Sequence, residues 1–308
     1  MTSHSAQSAD APQQAVYRPF MDGPDPSGPE NFRWRLGVRP LDLRDWIELG
    51  ADADAAIAGK QRLSREHPST VFAALDDVEP EATEVATALI EHLRGRWPER
   101  YADAALDPAL HPLDAAARHV PEDLALLVER DGELVLGAGS VCFPNRWDLR
   151  SKIGRPLHAV HAPVALLNEQ LAVPIDSFFD RLTPERSFWR LGWGVLDTDD
   201  WYTPLDGTAA PRPPAPTPDR LFLRVERETL RRFPRTRAVL FTIRTYVTPI
   251  PDVAADPASA RRLASALDAL PDPVRAYKDV TSFAPALIEH LRRAGMLPEA
   301  TSAEVDRV

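Results

Sequence analysis

The sequence predicts an α+β protein whose core is an antiparallel sheet, and three observations carry that prediction. Apolar residues recur at spacings of three and four in EATEVATALIEHLRGRW, which is the period of a helix with one buried face. Two β-type runs flank Asp131 and Gly132, and a DG pair between such runs marks a tight hairpin. AVLFTIRTYV alternates with period two, sending Val239, Phe241, Ile243, Thr245 and Val247 to one face and Leu240, Thr242, Arg244 and Tyr246 to the other. With 308 residues and 44% hydrophobic content, the chain can bury a sizeable core around these elements.

Taken in order, residues 1–30 are polar and rich in Ala, Ser, Gln and Pro, and read as a flexible or surface-wrapping tail outside the core. Residues 31–300 then read as a single domain. From 41 to 119 the pattern is helical, with LDLRDWIEL expected to open a helix on an Asp in its first turn. LALLVER and ELVLGAGSVCF form the predicted hairpin, and VALLNEQLAVPIDSFFDRL is a helix expected to break or bend at Pro174. SFWRLGWGVLD, RLFLRVE and AVLFTIRTYV follow as three strands, with the Pro-rich PRPPAPTP at 211–218 as a loop. Beyond Pro251 the helical period returns in SARRLASALDAL and FAPALIEHLRRAG. Two strands, a helical crossing and a three-stranded meander make the layout of a PAS-like antiparallel sheet. Helices then lie over one face, with further helices at both ends. Sheets of that layout hold a cofactor between one face and the crossing helices, which is an analogy of architecture and not of chemistry.

Composition excludes several classes. A formal net charge of -10 argues against nucleic-acid binding, which needs an excess of Lys and Arg. The single cysteine, Cys142, cannot form an internal disulfide and cannot by itself hold a structural zinc or an iron–sulfur cluster, so a reducing cytoplasm is the expected setting. No stretch approaches the ~20 apolar residues that span a bilayer, and the first residues lack the pattern of a secretory signal, so no membrane association is expected.

The candidate chemistry centres on RPLHAVHAP. His158 and His161 are three apart, which on a helical turn puts both imidazoles on one side, able to chelate one metal or to give one axial ligand and one supporting partner. A polar turn with one exposed and one hydrogen-bonded His satisfies the spacing equally well. Arg146, Lys152 and Arg155 lie close in sequence and suit the rim of an anionic cofactor, or a solvated basic loop. In RLFLRVE, Arg224 and Glu226 share one strand face, and Tyr246 with Arg244 is expected to join them from the neighbouring strand. Such a pocket would polarise bound dioxygen or fix an amine; the alternative is an exposed cross-strand pair worth less than ~1 kcal/mol. Cys142 reads as a small buried residue at a strand end.

Several of these segments together resemble the α-subunit of haem-dependent oxidative N-demethylase. The resemblance runs through RLGVRPLDLRDWIEL and Lys60, SVCFPNRWDLRSKIGRPLHAVHAPV, RSFWRLGW and LRVERETLRRFPRTRAVLFTIRTYVTPI, in that order, over most of residues 30–250. It implies a PAS-like fold binding haem b, with electrons from a separate flavin and iron–sulfur reductase component. The implied reaction is dioxygen-dependent demethylation of a small amine. His161 carries over as the axial metal ligand, with His158, Lys152, Arg155 and Arg146 as cofactor-binding residues and Arg224, Glu226 and Tyr246 as catalytic candidates. The chain departs from the family pattern where RVERET puts Glu228 in place of an amide, where RLGW puts Gly192 in place of an Asn, and where PVALL follows the histidines. These departures put dimethylamine itself in doubt as substrate. The competing reading is a non-catalytic haem-binding gas or ligand sensor, and a third is a haem-free interaction protein on the same fold.

Overall fold

A computed structural model describes residues 17–23, 28–210 and 216–296. Seven strands form one antiparallel sheet: β1 (Arg39–Leu41), β2 (Phe72–Ala74), β3 (Asp123–Arg130), β4 (Glu133–Ser140), β5 (Ser187–Leu196), β6 (Phe222–Arg232) and β7 (Val239–Pro249). Their order across the sheet is β1-β5-β6-β7-β3-β4-β2, so the last strand in sequence is the central one. The hairpin and the meander of the sequence reading are both present. The chain reverses between β3 and β4 on Asp131 and Gly132 at φ of 52° and 81°, the left-handed pair that a two-residue turn requires.

Eleven helices accompany the sheet among the described residues: α1 (Ala53–Glu66), α2 (Pro68–Val71), α3 (Glu79–Arg96), α4 (Pro98–Tyr101), α5 (Pro112–Ala117), α6 (Leu157–His161), α7 (Leu167–Arg181), α8 (Ile250–Ala254), α9 (Pro257–Asp268), α10 (Asp272–Tyr277) and α11 (Ala284–Gly295). None is long and apolar enough to cross a membrane. One face of the sheet is fully covered. Leu124, Leu126, Val128 and Leu240 pack with Val85, Leu89 and Leu93 of α3, while Leu223, Val225 and Tyr246 pack with Leu263, Leu267 and Leu287 of α9 and α11. Over the other face lies α7, whose Leu171, Ile175 and Phe179 recur every four residues and meet Leu127, Leu230 and Val239.

Three expectations are corrected. Pro174 does not interrupt α7; its missing N–H removes a single bond from the helix, and the buried stripe on both sides of it holds the helix to the sheet. LDLRDWIEL is not an α-helix: Leu41 ends strand β1, which pairs with β5, and a single 3-10 turn at Leu43–Asp45 follows, started by the Asp42 carboxylate accepting from the Arg44 N–H at 2.9 Å. The segment read as a tail outside the core contributes to it where it is described. Phe20 is buried against the α9–α11 side, and Arg18 pairs with Asp256 at 2.7 Å. Residues 1–16 and 211–215, the latter in the Pro-rich loop, lie outside the described residues.

Candidate functional site

The second sheet face is incompletely covered, and its burial pattern shows where. On the central strand β7, Leu240, Thr242 and Arg244 are buried, whereas Phe241 and Ile243, which point the other way, remain partly accessible. On β6 the same alternation buries Val225, Arg227 and Thr229 and leaves Glu226 and Glu228 partly accessible. Mid-sheet residues are normally the most protected in a domain, so their exposure marks a cleft. Its apolar part carries Phe188, Phe241, Phe178, Leu167 and Val160, between the sheet and helices α6 and α7. Its polar part is built on β5 and β6, where Arg190 faces Glu228, Gly192 faces Glu226 and Gly194 faces Arg224.

Arg224 is fully buried, and its donors are committed. Nε donates to Glu226 Oε1 at 3.0 Å, Nη1 to the Trp201 carbonyl at 3.2 Å, and Nη2 to Thr245 Oγ1 at 3.2 Å and to the Phe143 carbonyl. The guanidinium therefore holds Glu226 in place. Arg190 lies 3.1 Å from Glu228 Oε2 through its Nε. Burial, reinforced by the neighbouring Glu226 and opposed by Arg190, pushes the Glu228 carboxyl up to about 7. At the edge of β5, Lys278 donates to the Trp193 carbonyl at 2.6 Å with its ammonium between the rings of Trp34 and Trp193. Burial lowers its amine to about 8, with Glu226 opposing and Arg190 assisting. Tyr277 is 44% exposed at the rim, and the partial burial of its phenol, followed by the charge of Glu226 and Glu228, pushes it up to about 12.

The two histidines part company. His158 is 64% exposed and its nearest carboxylate, Glu133, is 3.9 Å away at the surface. His161 turns inward. Burial, with Arg190 and Lys152 adding positive charge nearby, lowers its imidazole to about 4, so the ring is neutral at physiological pH. Among the described residues no hydrogen bond or ion pair engages that ring. Lys152 is half-buried beside it and donates to the Val160 carbonyl at 2.5 Å, while Arg155 is exposed at the turn before α6. Arg146 departs from the expected free rim cation: it pairs with Asp279 at 2.7 Å and with Asp197, tying its loop to the end of β5 and to the segment after α10.

The expected grouping of Tyr246 with Arg224 and Glu226 is corrected by register. Glu226 faces Thr245 across the ladder and Val225 faces Tyr246, so the tyrosine lies on the covered face. There its hydroxyl donates to Glu48 Oε2 at 2.5 Å, a carboxylate that also accepts from Tyr17 at 2.6 Å. Cys142 is buried just after β4, its thiol pushed up to about 12, chiefly by burial. Behind Arg224, the buried Asp123 carboxylate accepts from the Cys142 and Phe143 N–H groups at 2.9 and 2.8 Å and lies 3.7 Å from the buried Lys60.

Sequence reasoning missed Arg190, Tyr277 and Lys278 as parts of the site. Arg190 was legible only with the β5–β6 register, and Tyr277 and Lys278 arrive from a distant helix end that no local pattern connects to the sheet. Among the described residues no three His, Cys, Asp or Glu side chains converge on one point to cage a bare metal ion. What remains is a cleft with one uncommitted imidazole, an apolar wall and two oriented carboxylates.

Fold and site together define an α+β protein whose antiparallel sheet is covered on one face and partly open at the centre of the other, with one neutral histidine nearby. Residues 37–288 match the model of one family, and the chain belongs to it: haem-dependent oxidative N-demethylase, alpha subunit-like. The family's description is that of an oxidoreductase.

Proposed function

We propose that the chain is the haem-binding subunit of a dioxygen-dependent oxidoreductase that acts on a small amine or a related molecule. The observation that carries this reading is the inward, neutral and uncommitted His161 at the edge of a mid-sheet cleft that has one apolar wall. A planar, largely apolar prosthetic group suits such a wall, and a metal whose other ligands come from that group needs only one protein donor. The residues present therefore fit haem, and we assign haem b. The order β5-β6-β7-β3-β4, a hairpin joined by helices to a meander, supports a PAS-like reading of the sheet, with residues 31–300 as one domain.

In this reading His161 holds the iron, His158 faces solvent, and Lys152 and Arg155 stand on the side from which acidic substituents of the group would be met. Haem, when bound, supplies the site of dioxygen reduction, with electrons from a separate flavin and iron–sulfur component in keeping with the alpha-subunit description. Glu226, fixed by Arg224, and Glu228, titrating near neutrality, hold and pass protons inside the cleft. Arg224 acts through Glu226 as a positioning residue, because its donors are already used. Tyr246 has no part in the cleft and supports the covered face.

The absorption spectrum of protein produced with haem supplied tests the reading directly. A Soret band that His161→Ala removes or shifts is expected; a normal band in that variant eliminates His161 as ligand. Formaldehyde release with a reductase, NADPH and candidate amines then tests catalysis.

A further inference from the structure

Gly192 stands where the missing side chain matters. A Cβ added there would lie 3.0 Å from Glu228 Oε1 and 3.8 Å from Glu226 Oε2, so the position is a niche floored by glycine and walled by two carboxylates. The atoms that point into it are the ones left over. Glu226 spends Oε1 on Arg224, and Glu228 spends Oε2 on Arg190. Among the described residues neither Glu226 Oε2 nor Glu228 Oε1 has a hydrogen-bond donor, although Glu228 is nearly buried. The nearby cations face elsewhere: each guanidinium is on the far oxygen of its partner, and the Lys278 ammonium is bound to the Trp193 carbonyl. What the niche offers a ligand is two converging acceptors that no protein donor occupies among the described residues.

We propose that Gly192 is the specificity-determining residue of this site, opening a niche that takes the N–H-bearing end of an organic cation between Glu226 Oε2 and Glu228 Oε1. The proposal rests on the reading of this cleft as the substrate site and deepens it. The ligand must bring at least two N–H donors, and its bulk next to the nitrogen must fit the space of an absent side chain. A quaternary ammonium, with the same charge and no N–H, is excluded. Because Glu228 ionises near 7, the niche gains a full second negative charge above that pH, while Glu226, Arg190, Tyr277 and Lys278 remain its charged and titratable neighbours.

The test is calorimetric titration of the full chain, with and without haem, at pH 7.5, using dimethylammonium chloride and tetramethylammonium chloride as probes. Dimethylammonium should bind at least tenfold more tightly than tetramethylammonium. Gly192→Ala should abolish that preference, whereas Gly95→Ala, exposed on α3 away from the cleft and with nothing within 4 Å of its added methyl, should leave it within twofold. Glu228→Gln, which keeps the shape, should weaken dimethylammonium about tenfold and flatten its rise between pH 6 and 8. Equal binding of both probes, no binding, or equal effects of the two alanine variants would overturn the proposal. Selective binding by protein that shows no Soret band keeps the niche and removes the haem reading, so the two fail separately.

Discussion

At the scale of single residues, His161 and Glu228 are both shifted by burial, in opposite senses, and each shift has a consequence. His161 loses its charge and so keeps the lone pair that the proposed iron ligation requires; Glu228 keeps its proton to about 7, where the proposed proton exchange would draw on it. His161→Ala is expected to lower haem affinity by tenfold or more, read from haem transfer to apomyoglobin. The Glu228 shift also enters stability. The unfolded chain ionises this carboxyl near the ordinary 4.5, so between that value and 7 the folded state binds more protons and stability falls as pH rises. Glu228→Gln removes this contribution, and the variant should gain on the wild type by on the order of 2 kcal/mol between pH 4 and 8, read from urea midpoints. An unchanged difference across that range would mean that Glu228 ionises at the same pH in the folded and the unfolded chain. Asp123→Ala belongs to a third kind of site: it leaves the buried Lys60 without its carboxylate and two backbone N–H groups without an acceptor, and should cost about 3–5 kcal/mol in the same measurement.

At the scale of elements, local pattern and long-range pairing divide the work. The strands β3 to β7 and the helices α3, α9 and α11 are legible in the sequence because each buries a face with its own period, and the turn at Asp131–Gly132 is legible because few residues accept its backbone angles. Gly132→Ala, at φ of 81°, should therefore destabilise the protein by about 1 kcal/mol without changing the cleft, measured by chemical denaturation beside the haem spectrum. The elements that escaped the reading have no period of their own. β1 and β2 are three residues each and exist only because β5 and β4 offer them an edge to pair with. The site follows the same division. His161, Arg224 and Glu226 stood out by residue type and spacing, whereas Tyr246 was assigned to the wrong face because the β6–β7 register depends on where the connecting turn falls. One residue of slip in that register reverses a face, and no local signal fixes it.

At the scale of the whole molecule, the two sheet faces are treated unequally. One carries two apolar clusters, against α3 and against α9 and α11, with the buried Arg227, Thr229, Thr242 and Arg244 between them, and the other is closed by α7 at one end and left open at the centre. A ligand that fills the open face binds only the folded chain, so saturating haem should raise the melting temperature by about 5 °C or more, and the rise should vanish in His161→Ala. The sequence by itself determined the class of fold, the hairpin and meander, and the candidate histidine, because helix and strand periods and a DG turn are properties of neighbours in the chain. Only the tertiary structure decided which imidazole turns inward, that Tyr246 leaves the pocket, and that Arg190, Gly192, Glu228 and Lys278 meet there. Those residues are joined by strand register and by the docking of a distant helix end, and both are set by the packing of the whole core.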